Sequence, residues 1–263
     1  MSRKQRSGLS IRAGLGCAAV LAVFVAGPAY ADEVWVKTAN QDCQMASDEA
    51  LKDNETVTWF GACRDGRLSG KGRMEWFVDG KLRGDYDGEM ADGRFSGKGL
   101  MRFEVEPGKG FDRLEGTFVM GEPEGDLRYD AANGDLYAGG FMKGERHGTG
   151  YYRLVTGEQY YGDWENGQKH GLGIMIDAED NTYLGEFENG VAKGAGVVES
   201  ADGSKFQGQF ANDLPNGAGV WVAPNGDTYQ GIFTDGKANG KVLVTKADGS
   251  QSVEDWKDGE KVQ

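Results

Sequence analysis

Few residues of this chain have types and spacings that could do chemistry. His147 and His170 are its only histidines, and each directly precedes a Gly-x-Gly triplet. On neighbouring hairpins they would lie about 10 Å apart, and with an acidic neighbour they could hold a metal ion. The acidic segments 122–126 and 177–180, which we place in turns, could bind calcium but lack EF-hand spacing. Turn packing and solvation explain both sets, so we predict no metal site.

The sequence also lacks the motifs of common catalytic sites. No GxSxG motif is followed by a plausible triad, and no phosphate-binding loop precedes a helix pattern. The 42 acidic residues include no pair that their spacing singles out as the two carboxylates of a glycosidase. We therefore predict no enzyme activity, no catalytic residue and no cofactor.

A repeated pattern of aromatic residue, glycine and aromatic residue organises most of the chain. Its glycines recur every 23 residues from Gly116 to Gly231, and two earlier steps from Gly61 are 27 and 28 residues long. Internal repeats of this period indicate a repeat architecture. The five clearest copies have their three positions at Tyr137, Gly139 and Phe141; Tyr160, Gly162 and Trp164; Tyr183, Gly185 and Phe187; Phe206, Gly208 and Phe210; and Tyr229, Gly231 and Phe233.

The spacing of the pattern places its three residues on one face of a strand, because side chains alternate between the two faces. The glycine leaves a notch on that face, which allows a close approach by another group. We expect a ring from a neighbouring strand to lie flat over each glycine. The cost of glycine in a strand interior would be offset by this packing.

Turn signals divide the repeat into two strands. Asn166-Gly167 and Asn189-Gly190 lie within repeats, whereas Asp202-Gly203 and Asn225-Gly226 lie between them. Such dipeptides accept the positive φ of tight hairpin turns. The sequence therefore predicts an all-β fold, an elongated single antiparallel meander of tandem β-hairpins.

This pattern resembles the MORN repeat, since Tyr160–Gly173 reads YxGxWxxGxxHGxG at every signature position. The resemblance extends over about eight tandem copies between Trp59 and Trp256. It implies a twisted β-sheet rod that mediates protein or membrane association and has no catalytic residues. Departures from the motif are Leu127, Asp213 and Val242, which replace glycines.

Residues 1–31 have the layout of a secretory signal peptide. A basic start and a short apolar run precede small residues at Ala29 and Ala31. We expect cleavage after Ala31 and a periplasmic or secreted protein. The alternatives are an uncleaved membrane anchor and a lipid anchor at Cys17. The exported chain would keep Cys43 and Cys63, which predict a disulfide, with two buried free thiols as the alternative.

The exported chain is then divided into three segments. Residues 32–57 form an N-terminal cap, in which 47–53 is compatible with a short helical turn. Residues 58–250 form the repeats. Residues 251–263 form a terminal half-repeat, whose charged strand either faces water or pairs with the same strand of a second copy in a homodimer.

The charge of the chain limits its partners. The net charge is −13, and it becomes −17 without residues 1–31, from 25 basic and 42 acidic residues. This balance argues against nucleic acid and disfavours direct binding to anionic lipid. We expect a scaffold for an unidentified protein partner in the cell envelope. The alternative is a glycan- or lipid-binding module, which would require Tyr137, Tyr160, Tyr183 and Tyr229 to form an exposed stripe.

Overall fold

The structure, a computed structural model, describes residues 34–47 and 49–262. The predicted signal peptide lies outside these residues. The described residues divide into an N-terminal unit that ends at Val155 and a C-terminal unit that begins at Thr156. Both units contain strands and turns, and neither contains a helix within the described ranges.

The N-terminal unit begins with the hairpin β1 (Val34–Lys37) and β2 (Gln44–Ser47). Eight strands follow, each antiparallel to the next in chain order: β3 (Glu55–Arg64), β4 (Arg67–Val78), β5 (Lys81–Ala91), β6 (Arg94–Phe103), β7 (Asp112–Val119), β8 (Glu122–Asp130), β9 (Leu136–Met142) and β10 (Glu145–Arg153).

The C-terminal unit continues in the same manner. Its strands are β11 (Gln159–Glu165), β12 (Gln168–Ile176), β13 (Thr182–Glu188), β14 (Val191–Glu199), β15 (Lys205–Ala211), β16 (Leu214–Val222), β17 (Thr228–Thr234), β18 (Lys237–Thr245), β19 (Gln251–Lys257) and β20 (Glu260–Lys261). Each pairs antiparallel with the next. The predicted all-β antiparallel meander of tandem hairpins is confirmed.

Six of the repeats bury a ring over two facing glycines. Gly162 of β11 is the Cα partner of Gly173 of β12, and the ring of Tyr160 covers both. A Cβ added to Gly162 would lie 2.5 Å from the Tyr160 hydroxyl and 2.6 Å from the Gly173 Cα. The expectation that the ring comes from a neighbouring strand is wrong: it comes from the same strand, two residues before the glycine.

A β-bulge completes this arrangement. After the Gly162–Gly173 pair the register shifts, and the next pair is Asp163 with His170. Two residues of β12 are therefore extra, and the first of them, Gly171, has φ of 57°. The Tyr160 hydroxyl donates a hydrogen bond to the Asp163 carbonyl at 2.8 Å. The bulge thus places a carbonyl acceptor within reach of the buried hydroxyl.

The two sets of predicted turns differ in geometry. Within repeats both central residues have positive φ, as at Asn166 (49°) and Gly167 (75°), which is the conformation of a type I′ turn. Between repeats, as at Asp202-Gly203, the glycine alone has positive φ (85°). There the Asp202 carboxylate accepts a hydrogen bond from the Ser204 backbone N–H. The acidic segment 122–126, expected in a turn, instead begins strand β8.

The segment before the repeats is a β-hairpin with an irregular connection to β3. The expected helical turn is absent from the described residues of segment 47–53. Trp35 of β1 lies beneath the guanidinium groups of Arg67 and Arg94, at 4.2 and 5.3 Å from the ring centroid. The backbone of β2 bonds to the first two repeat turns, since Gln44 donates to the Gly66 carbonyl and Ala46 to that of Gly93. The hairpin is therefore held by the turns of the first repeats.

The same segment covers the open edge of β3. The Asn40 side-chain amide accepts a hydrogen bond from the Trp59 N–H at 2.9 Å and donates one to the Trp59 carbonyl at 2.7 Å. The Asn40 side chain thus makes the two backbone hydrogen bonds that a neighbouring strand would otherwise make to Trp59. Gln41 donates a further bond to the same carbonyl. Cys43, which is fully buried, is joined by a disulfide to Cys63 of β3. Edge strands without such cover are sites of aggregation.

The contact of Tyr160 with the glycines predicts that Gly162→Val destabilises the fold. We expect a loss of about 1–3 kcal/mol in the free energy of unfolding, because the added side chain must displace the ring or the backbone of β12. Glu165→Val, at an exposed position of the same strand, is the control. Thermal unfolding followed by circular dichroism measures both, and equal melting temperatures would contradict the prediction.

The position of the disulfide predicts a redox-dependent stability. Cys43 and Cys63 have Cα atoms 6.1 Å apart and close a loop of 20 residues, so reduction should lower stability by about 3 kcal/mol. Unfolding with and without dithiothreitol measures this loss. The double variant Cys43→Ser/Cys63→Ser should be insensitive to the reductant. Two free thiols in denatured protein made in an oxidising compartment would show that the bridge does not form.

Candidate protein-interaction site

The predicted repeat residues fill one face of each unit, here called the inner face. In the C-terminal unit the rings pack edge to face, with centroids 5.1 Å apart for Tyr160 and Phe187 and 5.0 Å apart for Tyr183 and Phe210. The aromatic repeat residues that are buried are Tyr137, Phe141, Tyr160, Trp164, Tyr183, Phe187, Phe206, Phe210 and Phe233. These rings therefore do not form an exposed stripe.

The buried tyrosines also use their hydroxyl groups internally. Tyr86 and Tyr183 each donate to the carbonyl three residues later, both at 2.9 Å. Burial raises the pKa of Tyr86, Tyr137 and Tyr183 above the ordinary value for tyrosine. They remain neutral hydrogen-bond donors at physiological pH, and this role is structural.

Two of the departures from the motif are compensated by packing. In the repeat that begins at Leu114 no ring is available, and Leu127 from the facing strand occupies the space above Gly116. In the last repeat, buried Val242 occupies the space above Gly231, 3.1 Å from the position of an added Cβ. A larger residue opposite the glycine therefore substitutes for the ring.

Val242 has a consequence for Tyr229. The Tyr229 ring does not lie over Gly231. It contacts Trp221, with ring centroids 4.9 Å apart, and Trp256, with centroids 5.6 Å apart. All three rings are half-buried. Tyr229 is thus the exception among the four tyrosines that we expected to be either exposed or covered together.

His170 and the acidic segments have local roles. His170 pairs with Glu165 across the repeat turn, with nitrogen and oxygen 3.2 Å apart. Asp177 accepts hydrogen bonds from the backbone N–H groups of Glu179 and Asn181, so its carboxylate shapes the turn between repeats. Glu124 accepts one from the Lys143 N–H. Among residues 34–47 and 49–262, no three histidine, cysteine or acidic side chains are grouped as metal ligands.

The opposite face of the C-terminal unit, here called the outer face, carries exposed apolar residues that we did not predict as a site. Tyr161, Ile174, Leu184 and Val197 are successive Cα partners on β11–β14, so they form a row across four strands. Leu172 flanks this row. Together these five residues are the outer apolar patch; Tyr161, Leu172, Ile174 and Leu184 are 58%, 65%, 42% and 52% exposed.

Acidic residues border the outer apolar patch. Glu186 is the Cα partner of Leu172, and Asp163 and Glu165 follow Tyr161 on β11. All three are exposed. Two lysines of β14 and β15 are in ion pairs, Lys193 with Glu188 and Lys205 with Glu199. An apolar centre with a polar rim is the usual composition of a protein interface.

The corresponding row of the N-terminal unit is different. From Phe60 the successive Cα partners are Arg73, Asp87, Leu100, Glu115, Arg128, Ala138 and Tyr151. Charges thus interrupt the row, and several of them form ion pairs, such as Arg73 with Asp85 and Arg113 with Glu115. The alternation of residues in β11–β14 could have revealed the patch, because apolar residues there occupy both strand faces.

The comparison with protein families agrees with this geometry. The MORN repeat model matches residues 86–104, 137–159, 160–182, 183–205, 206–228 and 229–250, which together are just over half of the chain. The chain belongs to the MORN repeat family. The hairpins that begin at Trp59 and Leu114 lie outside these matches, but Trp59 covers Gly61 and Gly72 as the tyrosines do in the matched repeats. The MORN repeat is generally a non-catalytic repeat module.

Other comparisons are less informative for this MORN protein. No curated protein matches it significantly in sequence. Among solved structures, it is similar to the TCP domain of Drosophila melanogaster SAS-4 (dCPAP) in complex with a proline-rich motif of Ana2 (dSTIL). The sequence identity is 14%, the TM-score is 0.38, and the match covers 64% of this chain and 86% of the other. This low similarity supports no functional conclusion.

Proposed function

We propose that this MORN protein is an exported, non-catalytic scaffold that binds another protein in the cell envelope. The observation that carries the proposal is the contrast between the two faces of the C-terminal unit. The inner rings are buried in the core and are not available to a partner. The outer face, in contrast, carries an exposed apolar patch. Exposed apolar patches with polar rims are typical of protein-interaction surfaces.

Export is supported by two features of the chain. Residues 1–31 have the layout of a secretory signal, and Cys43 and Cys63 form a bridge that suits an oxidising compartment. In the described residues no helix is long and apolar enough to cross a membrane. A homodimer through β19 is an additional proposal, since the segment Glu260–Val262 pairs with the end of that strand, from Asp255 to Lys257.

The alternative function, glycan or lipid binding, has one supporting observation. Trp221, Tyr229 and Trp256 are half-buried and clustered at the last repeat. Aromatic side chains with exposed edges can bind such ligands. The burial of Tyr137, Tyr160 and Tyr183 leaves this cluster without an extension along the inner face, which favours the protein-binding function.

In-cell cross-linking tests the scaffold proposal. Full-length protein with a photo-reactive residue at Leu184 should yield a cross-linked protein of the envelope fraction, and its mature chain should begin at Asp32 by mass spectrometry. The same residue placed at buried Tyr183 is the control and should yield none. A cytoplasmic protein that retains residues 1–31, or the absence of any specific adduct, would refute the proposal.

We also expect the mature protein not to bind anionic vesicles at physiological salt. Attraction to an anionic leaflet is worth about 1 kcal/mol per well-placed Lys or Arg, and here 25 basic residues are dispersed among 42 acidic ones. Co-sedimentation with anionic and neutral vesicles measures this. Pelleting with anionic vesicles alone, reduced by high salt, would favour a membrane function over the protein scaffold.

A further inference from the structure

The outer apolar patch has a defined size and spacing. Its row crosses β11–β14 with one apolar side chain on every strand, namely Tyr161, Ile174, Leu184 and Val197. Neighbouring strands lie about 4.8 Å apart, so the row extends over roughly 14 Å. Beyond Val197 the same row continues through Gln207, Val220, Gln230, Leu243 and Val253. The two glutamines interrupt the apolar surface there, so the longest run of adjacent strands with consecutive apolar residues in this row of the C-terminal unit is β11–β14.

The spacing of the row favours one type of secondary structure in a polypeptide segment bound across it. A strand laid across the row would present same-side residues about 6.7 Å apart, which loses register with the sheet within a few strands. A polyproline II segment repeats every three residues, or about 9.3 Å, and would meet every second strand only. An α-helix advances about 5.4 Å per turn, so apolar residues at i, i+3 or i+4, and i+7 meet successive strands. A helix of about three turns therefore engages the whole row.

The charge of the C-terminal unit indicates which charged residues should flank the apolar residues of a bound partner. Residues 156–262 contain 18 acidic residues and 8 lysines, a net charge of −10. Asp163, Glu165 and Glu186 lie exposed at the border of the patch, and Glu165 also contacts His170. Lys193 and Lys205 are paired with Glu188 and Glu199. A second copy would bring the same acidic border against itself. Electrostatic complementarity instead favours a cationic partner.

We propose that the outer apolar patch is the docking site for a basic amphipathic helix of a partner protein. The apolar stripe of the helix packs on Ile174 and Leu184, with Tyr161 and Leu172 at the margins, and its Lys or Arg residues face Asp163, Glu165 and Glu186. This inference rests on the proposed scaffold function and specifies its surface and the chemistry of its partner.

Three synthetic peptides of 18 residues test the docking site by fluorescence anisotropy with the mature protein. The first contains Leu at helical spacing with Lys elsewhere. The second has Glu in place of every Lys, and the third has the same composition as the first with Leu at every second position. We expect the first to bind at physiological salt and the other two to bind at least about tenfold more weakly.

Matched variants distinguish the patch from general attraction between opposite charges. Ile174→Lys/Leu184→Lys should weaken binding of the first peptide at least about tenfold. Val119→Lys/Val155→Lys, which adds the same charge at 51% and 67% exposed positions of the N-terminal unit, should leave it within about twofold. Unchanged circular dichroism spectra and melting temperatures would establish that both proteins are folded.

Several results would overturn the proposal. These are no binding of the first peptide, equal binding of the acidic or respaced peptide, and equal loss in the two double variants. Self-association of wild-type protein that Ile174→Lys/Leu184→Lys abolishes would assign the patch to a second copy instead. If the double variant still cross-links its envelope partner through a photo-reactive residue elsewhere, the scaffold function stands and the surface assignment is wrong.

Discussion

The close approach of one ring to two facing glycines is the interaction on which the rest of the structure depends. The Tyr160 ring lies so close to Gly162 and Gly173 that neither position has room for a Cβ. The ring fills the inner face of its repeat, its hydroxyl satisfies a carbonyl at the bulge, and its edge contacts Phe187 of the next repeat. Each repeat therefore contributes to the packing of the following one, which is how repeat proteins build a continuous core.

This packing also determines which surfaces are available for function. Because the inner face is filled by the chain's own rings, it offers little exposed aromatic surface except near Tyr229, where Val242 has taken the ring's place. The N-terminal edge is covered by Asn40 and Gln41. The outer face of the C-terminal unit presents a row of accessible apolar side chains on four successive strands, and the acidic residues at its border account for the partner chemistry that we propose.

The sequence predicted the inner face well, because strand parity places the residues at positions −2, 0 and +2 on one side whatever the neighbours are. It did not predict that each ring covers the glycine of its own strand, since that depends on the side-chain rotamer. The helical turn expected in segment 47–53 was wrong because Ser47 ends strand β2, paired with Val34, and the described residues after it form an irregular connection to β3. The acidic segment 122–126 was misplaced because its turn precedes it at Met120 and Gly121.

The sequence by itself determined the repeat, its hairpins and the residues that fill the core, because these follow from local alternation and from turn residues with positive φ. Only the tertiary structure decided what covers the edge of β3 and where Leu127 and Val242 replace a ring, because these depend on contacts between strands. It also revealed the outer apolar patch. Tyr161, Ile174 and Leu184 are separated in the sequence, and only the register of β11–β13 brings them into one row.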